Sequence, residues 1–156
     1  MTEHTDHITD ATDEKIRLTA DAVLFGEFEN DVWVLLIERG WDPFKGCYAL
    51  PGGHVDQGED TADAAFRELA EETGIRTGTL KYTGAYATVG RDPRGRYVTF
   101  AYAGRIDFRF DPIAGDDAVR AEWVRLDEVL SGRVRVGFDH EQIIRDALRV
   151  QPLYTR

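Results

Sequence analysis

Six residues between positions 53 and 72 have types and spacings suited to phosphate chemistry. They are Gly53, Glu59, Arg67, Glu68, Glu71 and Glu72. Glu68, Glu71 and Glu72 stand three and four apart, so a helix would turn them to one face. Like charges at that spacing repel, by about 1 kcal/mol in total on pairwise values. A cation would relieve the repulsion. Magnesium takes oxygen ligands in octahedral geometry and keeps several waters, so a few carboxylates and substrate phosphate oxygens complete its shell. Held there, it would neutralise phosphate charge, polarise phosphorus and help water lose a proton. The loop before the helix, PGGHVDQGED, is rich in glycine. It can turn sharply and face a carbonyl inward. Glu59, just ahead of the helix, is placed to pair with Arg67 and lock loop to helix. Three glutamates alone would read as a solvated acidic face. The glycine and arginine at fixed offsets argue for the site.

The elements that must position these residues follow from periodicity. Residues 60–73 read as a helix with Ala62, Ala65, Phe66, Leu69 and Thr73 on its less polar stripe. Asp60 or Thr61 suits its N-cap and Gly74 its C-cap. Residues 16–28 and 30–39 read as a strand hairpin, and a short strand is expected near Cys47–Leu50. Further strands are expected over 78–90, 96–106 and 120–126, with a second amphipathic helix over 139–150. Strands that are not separated by regular helices favour a mixed α/β sandwich over a doubly wound sheet.

The 156-residue length suits one domain, here 16–156 after a flexible acidic tail over 1–15. His4 and His7 in that tail read as solvated. Nineteen Lys and Arg against 29 Asp and Glu give a net charge of −10. Such a surface argues against nucleic acid and anionic membranes as partners. A divalent cation would still let it take an anionic substrate. The single Cys47 and the lack of a signal peptide point to the cytoplasm. The longest apolar run, VWVLLI, is far short of the ~20 residues that cross a bilayer.

Candidates for substrate contact lie outside the acidic helix. Arg91, Arg94 and Arg96 cluster in RDPRGR, and arginine pairs with phosphate and stacks on adenine. The same residues also make an ordinary polar hairpin turn. Arg39 ends a strand before the glycine loop, where it either reaches phosphate or decorates an edge. Trp41 and Phe44 either stack on a base or plug the core. Asp116 and Asp117 offer a remote base or a contact behind the metal, or a turn cap. His140 reads as packing or capping at the start of the last helix.

The stretch Gly53–Ile75 resembles the Nudix box, G-x5-E-x7-R-E-U-x-E-E-x-G-U, with U a bulky apolar residue. All nine specified positions match: Gly53, Glu59, Arg67, Glu68, Leu69, Glu71, Glu72, Gly74 and Ile75. The resemblance implies an α/β/α sandwich with a mixed central sheet. It also implies hydrolysis of a nucleoside diphosphate linked to another group, with Mg2+ or Mn2+. By that resemblance Glu68 and Glu72 are principal metal ligands, Glu71 a further ligand and Gly53 a carbonyl ligand. Arg67 and Glu59 hold the box together. The base is the glutamate at position 68 in some members and an acid on a distant loop, such as Asp117 here, in others.

PFKGCYALPGGHV, GRDPRGRYVTFAYAG and segments over 114–148 resemble the ADP-ribose pyrophosphatase-like subgroup and related Nudix regulators. ADP-ribose is therefore the leading expected substrate, giving AMP and ribose 5-phosphate. Rival expectations are a nucleoside triphosphate pyrophosphohydrolase, a hydrolase of another ADP-sugar or dinucleotide, and a non-catalytic ADP-ribose sensor. An acidic protein-interaction module is a more distant one. The chain ends soon after the last helix, which favours an enzyme over a regulator with a DNA-binding region. A homodimer is expected by analogy with similar enzymes.

Overall fold

The computed structural model describes residues 14–115 and 118–154. The tail expected over 1–15 lies outside these residues except for Glu14 and Lys15. His4, His7, Asp116 and Asp117 lie outside them as well.

β1 (Ile16–Phe28) and β2 (Asp31–Arg39) form the expected hairpin. Their two-residue turn, Glu29-Asn30, has positive φ at both positions, as hairpin turns that follow the strand twist require. β3 (Tyr48–Ala49) and β4 (Gly52–His54) follow, then α1 (Thr61–Thr73). β5 (Lys81–Tyr86) is shorter than expected, because the chain turns at 87–90 with Gly90 at φ 83. β6 (Arg96–Ile106) and β7 (Ala118–Arg125) complete the strands. A short helix, α2 (Leu126–Leu130), takes the end of the region expected as strand, burying Leu126 and Val129. Its apolar positions stand three apart, a helical spacing. α3 (His140–Val150) is the expected second helix.

One mixed sheet results, in the order β3-β2-β1-β6-β5, with β4 on β1 and β7 on β2. The β1–β6 pair is parallel and the remaining ladders are antiparallel. β1 alternates its side chains between two cores. Ala20, Ala22 and Leu24 pack with Ala64, Ala65 and Leu69 of α1. Val23 and Phe25 pack with Ile143, Ile144 and Ala147 of α3 and with Val129 of α2. Helices on both faces of a mixed sheet make the α/β/α sandwich. Burial on both faces also explains the nearly unbroken apolar run of β1. No described helix is long and apolar enough to cross a membrane.

The partner of β1 changes along its length. Phe25–Phe28 pair with β2, whereas Thr19–Asp21 pair with β4. β2 meanwhile runs on to pair with β3 through Ile37 and Glu38. The two hairpin strands therefore part company toward Arg39. The chain crosses between them through Leu50, Pro51 and Gly52, and this divergence opens a cleft.

Candidate active site

The acidic wall of the cleft is built by α1 and the glycine strand before it. α1 ends where Gly74 adopts the left-handed conformation at φ 70 and its N–H bonds to the Ala70 carbonyl at 2.9 Å. Asp60 stands at the N-cap without a side-chain cap bond.

Arg67 ties the helix to the loop. It gives Glu59 two hydrogen bonds, 2.8 and 3.0 Å, and gives the His54 carbonyl one of 2.9 Å. It also reaches Glu68 at 2.8 Å and Glu71 at 3.1 Å. The Asp56 N–H donates to Glu59 from the loop side. The Glu59 bond, with smaller help from Glu68, pushes the Arg67 guanidinium well above the usual arginine range. Glu68 is largely covered, with 14% of its side chain exposed, while Glu71 is 59% exposed. Burial pushes the Glu68 carboxyl above the ordinary glutamate range, and Arg67 works against that rise.

Glu72 accepts the Gly52 N–H at 2.9 Å and lines the cleft. Both glycines of β4 are needed for this approach. A Cβ at Gly53 would lie 2.6 Å from the Glu68 carboxyl carbon, and one at Gly52 would meet Asp21 and the Ala20 carbonyl. The Gly53 backbone thus presses directly on Glu68. Among the described residues no three His, Cys, Asp or Glu side chains converge as a ready metal shell. Arg67 draws Glu68 and Glu71 to itself, and Glu72 rests on the strand. The donor set still fits a hard divalent cation, because every donor is an oxygen. A cation there would take oxygens of Glu68 and Glu71 while Arg67 keeps those carboxylates oriented.

The opposite wall is basic and aromatic. Arg39 donates through Nε to the Pro43 carbonyl at 2.7 Å. Burial, and then the like charge of Arg94, lower its pKa. Arg94 makes two side-chain bonds to Asp92, 3.0 and 2.7 Å. Burial acts to raise the Asp92 pKa, but these bonds outweigh it and hold the carboxyl below the usual range. Arg91, whose side chain is 5% exposed, is held by Asp139 through two bonds of 2.8 and 2.5 Å.

Of the residues expected to touch substrate, Arg39 and Arg91 line the cleft. Arg96 does not; its guanidinium turns to the Ala87 carbonyl at 2.5 Å. Arg94 in the turn takes the cleft position, because Arg96 is already the first residue of β6. The Phe44 ring is spent against Phe138, centroids 4.7 Å apart, whereas Trp41 is exposed at the outer rim.

The floor carries two buried polar residues that periodicity does not place at the cleft. Asp21, buried in mid-strand, accepts the Thr99 hydroxyl at 2.6 Å. His140 Nδ1 accepts the Leu50 N–H at 3.0 Å, which leaves its other nitrogen, 3.8 Å from Asp21, as the protonated one. Burial holds the imidazole below the usual histidine range. One signal for Asp21 is present in the sequence: a lone charge inside the apolar run TADAVLF.

The model of the NUDIX domain matches residues 15–147. The chain belongs to the Nudix family. Among curated Nudix relatives it is 42% identical, over 129 residues, to the ADP-ribose pyrophosphatase of Methanocaldococcus jannaschii. That match covers 80% of this chain and 70% of the relative. It is 33% identical to the ADPR responsive transcriptional repressor NtrR of Acinetobacter baylyi, covering 83% of this chain but only 52% of the repressor. Among solved structures, the NUDIX domain of Shewanella oneidensis NrtR in complex with ADP ribose superposes with a TM-score of 0.79. Identity is 30%, over 96% of this chain and 99% of that one. A bifunctional NMN adenylyltransferase/ADP ribose pyrophosphatase from Francisella tularensis, complexed with AMP and a manganese ion, has a TM-score of 0.77. Identity is 28%, over 88% of this chain and 42% of that one.

Proposed function

We propose that the chain hydrolyses the pyrophosphate bond of a nucleoside diphosphate derivative, with ADP-ribose the leading substrate. One observation carries the reading: Glu72 and the Gly52–Gly53 backbone, with Glu68 packed behind Gly53, form one wall of a cleft whose other wall carries Arg39, Arg91 and Arg94. A diphosphate is the ligand that needs both walls. Arginine meets its outer oxygens, and carboxylates can reach it only through a cation. The kinship with an ADP-ribose pyrophosphatase supports the choice of substrate.

Glu68, Glu71, Glu72 and the Gly53 backbone would hold the divalent ion on which Nudix hydrolases depend, with magnesium the first choice. When bound, that ion neutralises phosphate charge and activates water for in-line attack. The chain's own residues do the rest. Arg67 and Glu59 keep α1 against the glycine strand. Arg39 and Arg94 meet the diphosphate from the far side. Glu68 or Asp117 takes the proton from water. Water adds to one phosphorus, the anhydride oxygen leaves with the other, and ADP-ribose yields AMP and ribose 5-phosphate.

The test is a chromatographic product assay with magnesium over ADP-ribose, NADH, dinucleoside polyphosphates and nucleoside triphosphates. AMP released fastest from ADP-ribose supports the reading. Inorganic pyrophosphate released from triphosphates replaces it with a triphosphate pyrophosphohydrolase. Tight ADP-ribose binding without turnover replaces it with a sensor.

A further inference from the structure

Outside the β1–β2 turn, positive φ at a non-glycine residue occurs at two described positions, Phe44 at 61° and Phe138 at 54°. A bulky side chain there is a genuine outlier, kept only when its surroundings over-determine it. These two rings pack against each other at an interplanar angle of 59° beside the cleft. The backbone around Phe138 is pinned from three sides. The Gly137 N–H bonds to the Tyr48 carbonyl at 2.8 Å. Asp139 is gripped by Arg91, and His140 accepts the Leu50 N–H. Gly137 must lack a side chain, since a Cβ there would stand 2.9 Å from that of Phe44.

A pair of charges lies against the Phe138 ring, Arg39 bonded also to the Pro43 carbonyl and Arg94 to Asp92 and beside the Tyr97 ring at 4.9 Å. The Arg39 guanidinium carbon lies 4.9 Å from the centre of the Phe138 ring, and that of Arg94 lies 5.7 Å from it. Both arginines and the ring line the same cleft. Two cations brought together repel, and the negative face of an aromatic ring offsets part of that repulsion.

We propose that Phe138 is a positioning residue for substrate binding. Its ring holds Arg39 and Arg94 together at the cleft, so that they meet the phosphoryl oxygens of the substrate as a pair. The proposal rests on the hydrolase reading for its substrate but not for its geometry. A ring that merely packed on Phe44 could be exchanged for leucine without affecting the arginines.

The experiment compares the wild type with Phe138→Leu and Phe138→Tyr. It reads kcat and KM on ADP-ribose with magnesium, and the NMR shift of the Arg39 Nε proton in ligand-free protein. The Arg39 Nε–H also bonds to the Pro43 carbonyl, which moves it downfield, so the ring current is read as the difference between wild type and the leucine variant. Phe138→Leu moves it downfield and raises KM about tenfold, with kcat changed less than about twofold. Phe138→Tyr restores both shift and KM. An Arg39 proton that does not move between wild type and the leucine variant overturns the proposal, and so does a leucine variant with unchanged KM. A tyrosine variant that folds but keeps the raised KM also overturns it. Should the wild type turn over no diphosphate substrate, the hydrolase reading falls. The proposal is then decided by the Arg39 shift together with the affinity for ADP-ribose measured by calorimetry.

Discussion

The acidic wall of the cleft comes from one stretch of chain, whereas the basic wall is gathered from three. Glu68, Glu71 and Glu72 share a helix, and the arginine that organises them bonds to Glu59 only eight residues away. Arg39, the Asp92–Arg94 turn and Phe138 reach the cleft from β2, the β5–β6 connection and the lead-in to α3. Arg39 and Arg94 are bonded locally, but the bonds that bring their segments together are long-range: Arg91 to Asp139 spans 48 positions and Leu50 to His140 spans 90. The walls therefore differ in what a mutation can reach. On the acidic side a change acts on the proposed metal shell through one or two bonds. On the basic side it acts on how separate segments meet.

Glu72→Gln should have the largest effect. Glutamine keeps an oxygen for the Gly52 N–H, so the fold stands, but the charge offered to a cation is gone. Turnover of ADP-ribose should fall roughly 10²–10³-fold, on the scale of losing one electrostatic group from an active site. A circular dichroism melt should be unchanged. Activity within about tenfold of wild type would remove Glu72 from the metal shell.

Next comes Arg67→Ala, which touches the same wall at one remove. It releases Glu59, Glu68, Glu71 and the His54 carbonyl together. Magnesium affinity or activity should drop roughly 10- to 100-fold, the usual cost of losing the residue that orients a metal's ligands. Titrating magnesium separates the two. If excess magnesium restores full turnover, Arg67 acts on binding of the ion; if kcat stays low, it acts on geometry in the loaded site. No change in either would mean that loop and helix hold together without it.

The same contrast governs what could be read from the chain alone. The helix 61–73 and the β1–β2 hairpin were legible because periodicity and turn chemistry are local. The carboxylate set was legible for the same reason. Arg94 and Phe138 were not. In sequence, Arg94 and Arg96 are equivalent members of one basic turn; only the start of β6 at residue 96 separates them. Phe138 precedes a helix in a stretch with no pattern, and its position depends on Arg91, Tyr48 and Leu50 far away. α2 was hidden because five residues are too few for a period to show. Asp21 left a trace, a charge inside an apolar strand, but its partners Thr99 and His140 come only with the fold.

A pair of variants on the basic wall tests the distinction between turn and strand. Arg94→Ala removes a cation from the cleft and frees the buried Asp92 carboxylate beside it. Both changes disfavour an anionic ligand, so KM for ADP-ribose should rise about tenfold with kcat little altered. Arg96→Ala loses only a bond to the Ala87 carbonyl and should change KM by less than about twofold. The reverse order would place Arg96 at the substrate and Arg94 outside it.

The smallest effect concerns pH and separates the walls by their chemistry. The floor beneath the arginines contains His140, whose imidazole burial holds below the usual histidine range. The unfolded chain then binds that proton more tightly than the folded one. The stability this group contributes is complete above about pH 6.5, the ordinary histidine value, and erodes as pH falls toward the folded pKa. A single group can impose a slope of at most about 1.4 kcal/mol per pH unit. The acidic helix titrates too, so the wild-type curve alone does not isolate the histidine. Urea midpoints for wild type and His140→Gln, from about pH 8 down to about pH 5, do so by difference. The variant should be less stable at high pH, where it lacks the fit to Leu50, and the two curves should converge as pH drops. Parallel curves would mean that His140 holds the Leu50–Gly52 crossing without its protonation state mattering to the fold.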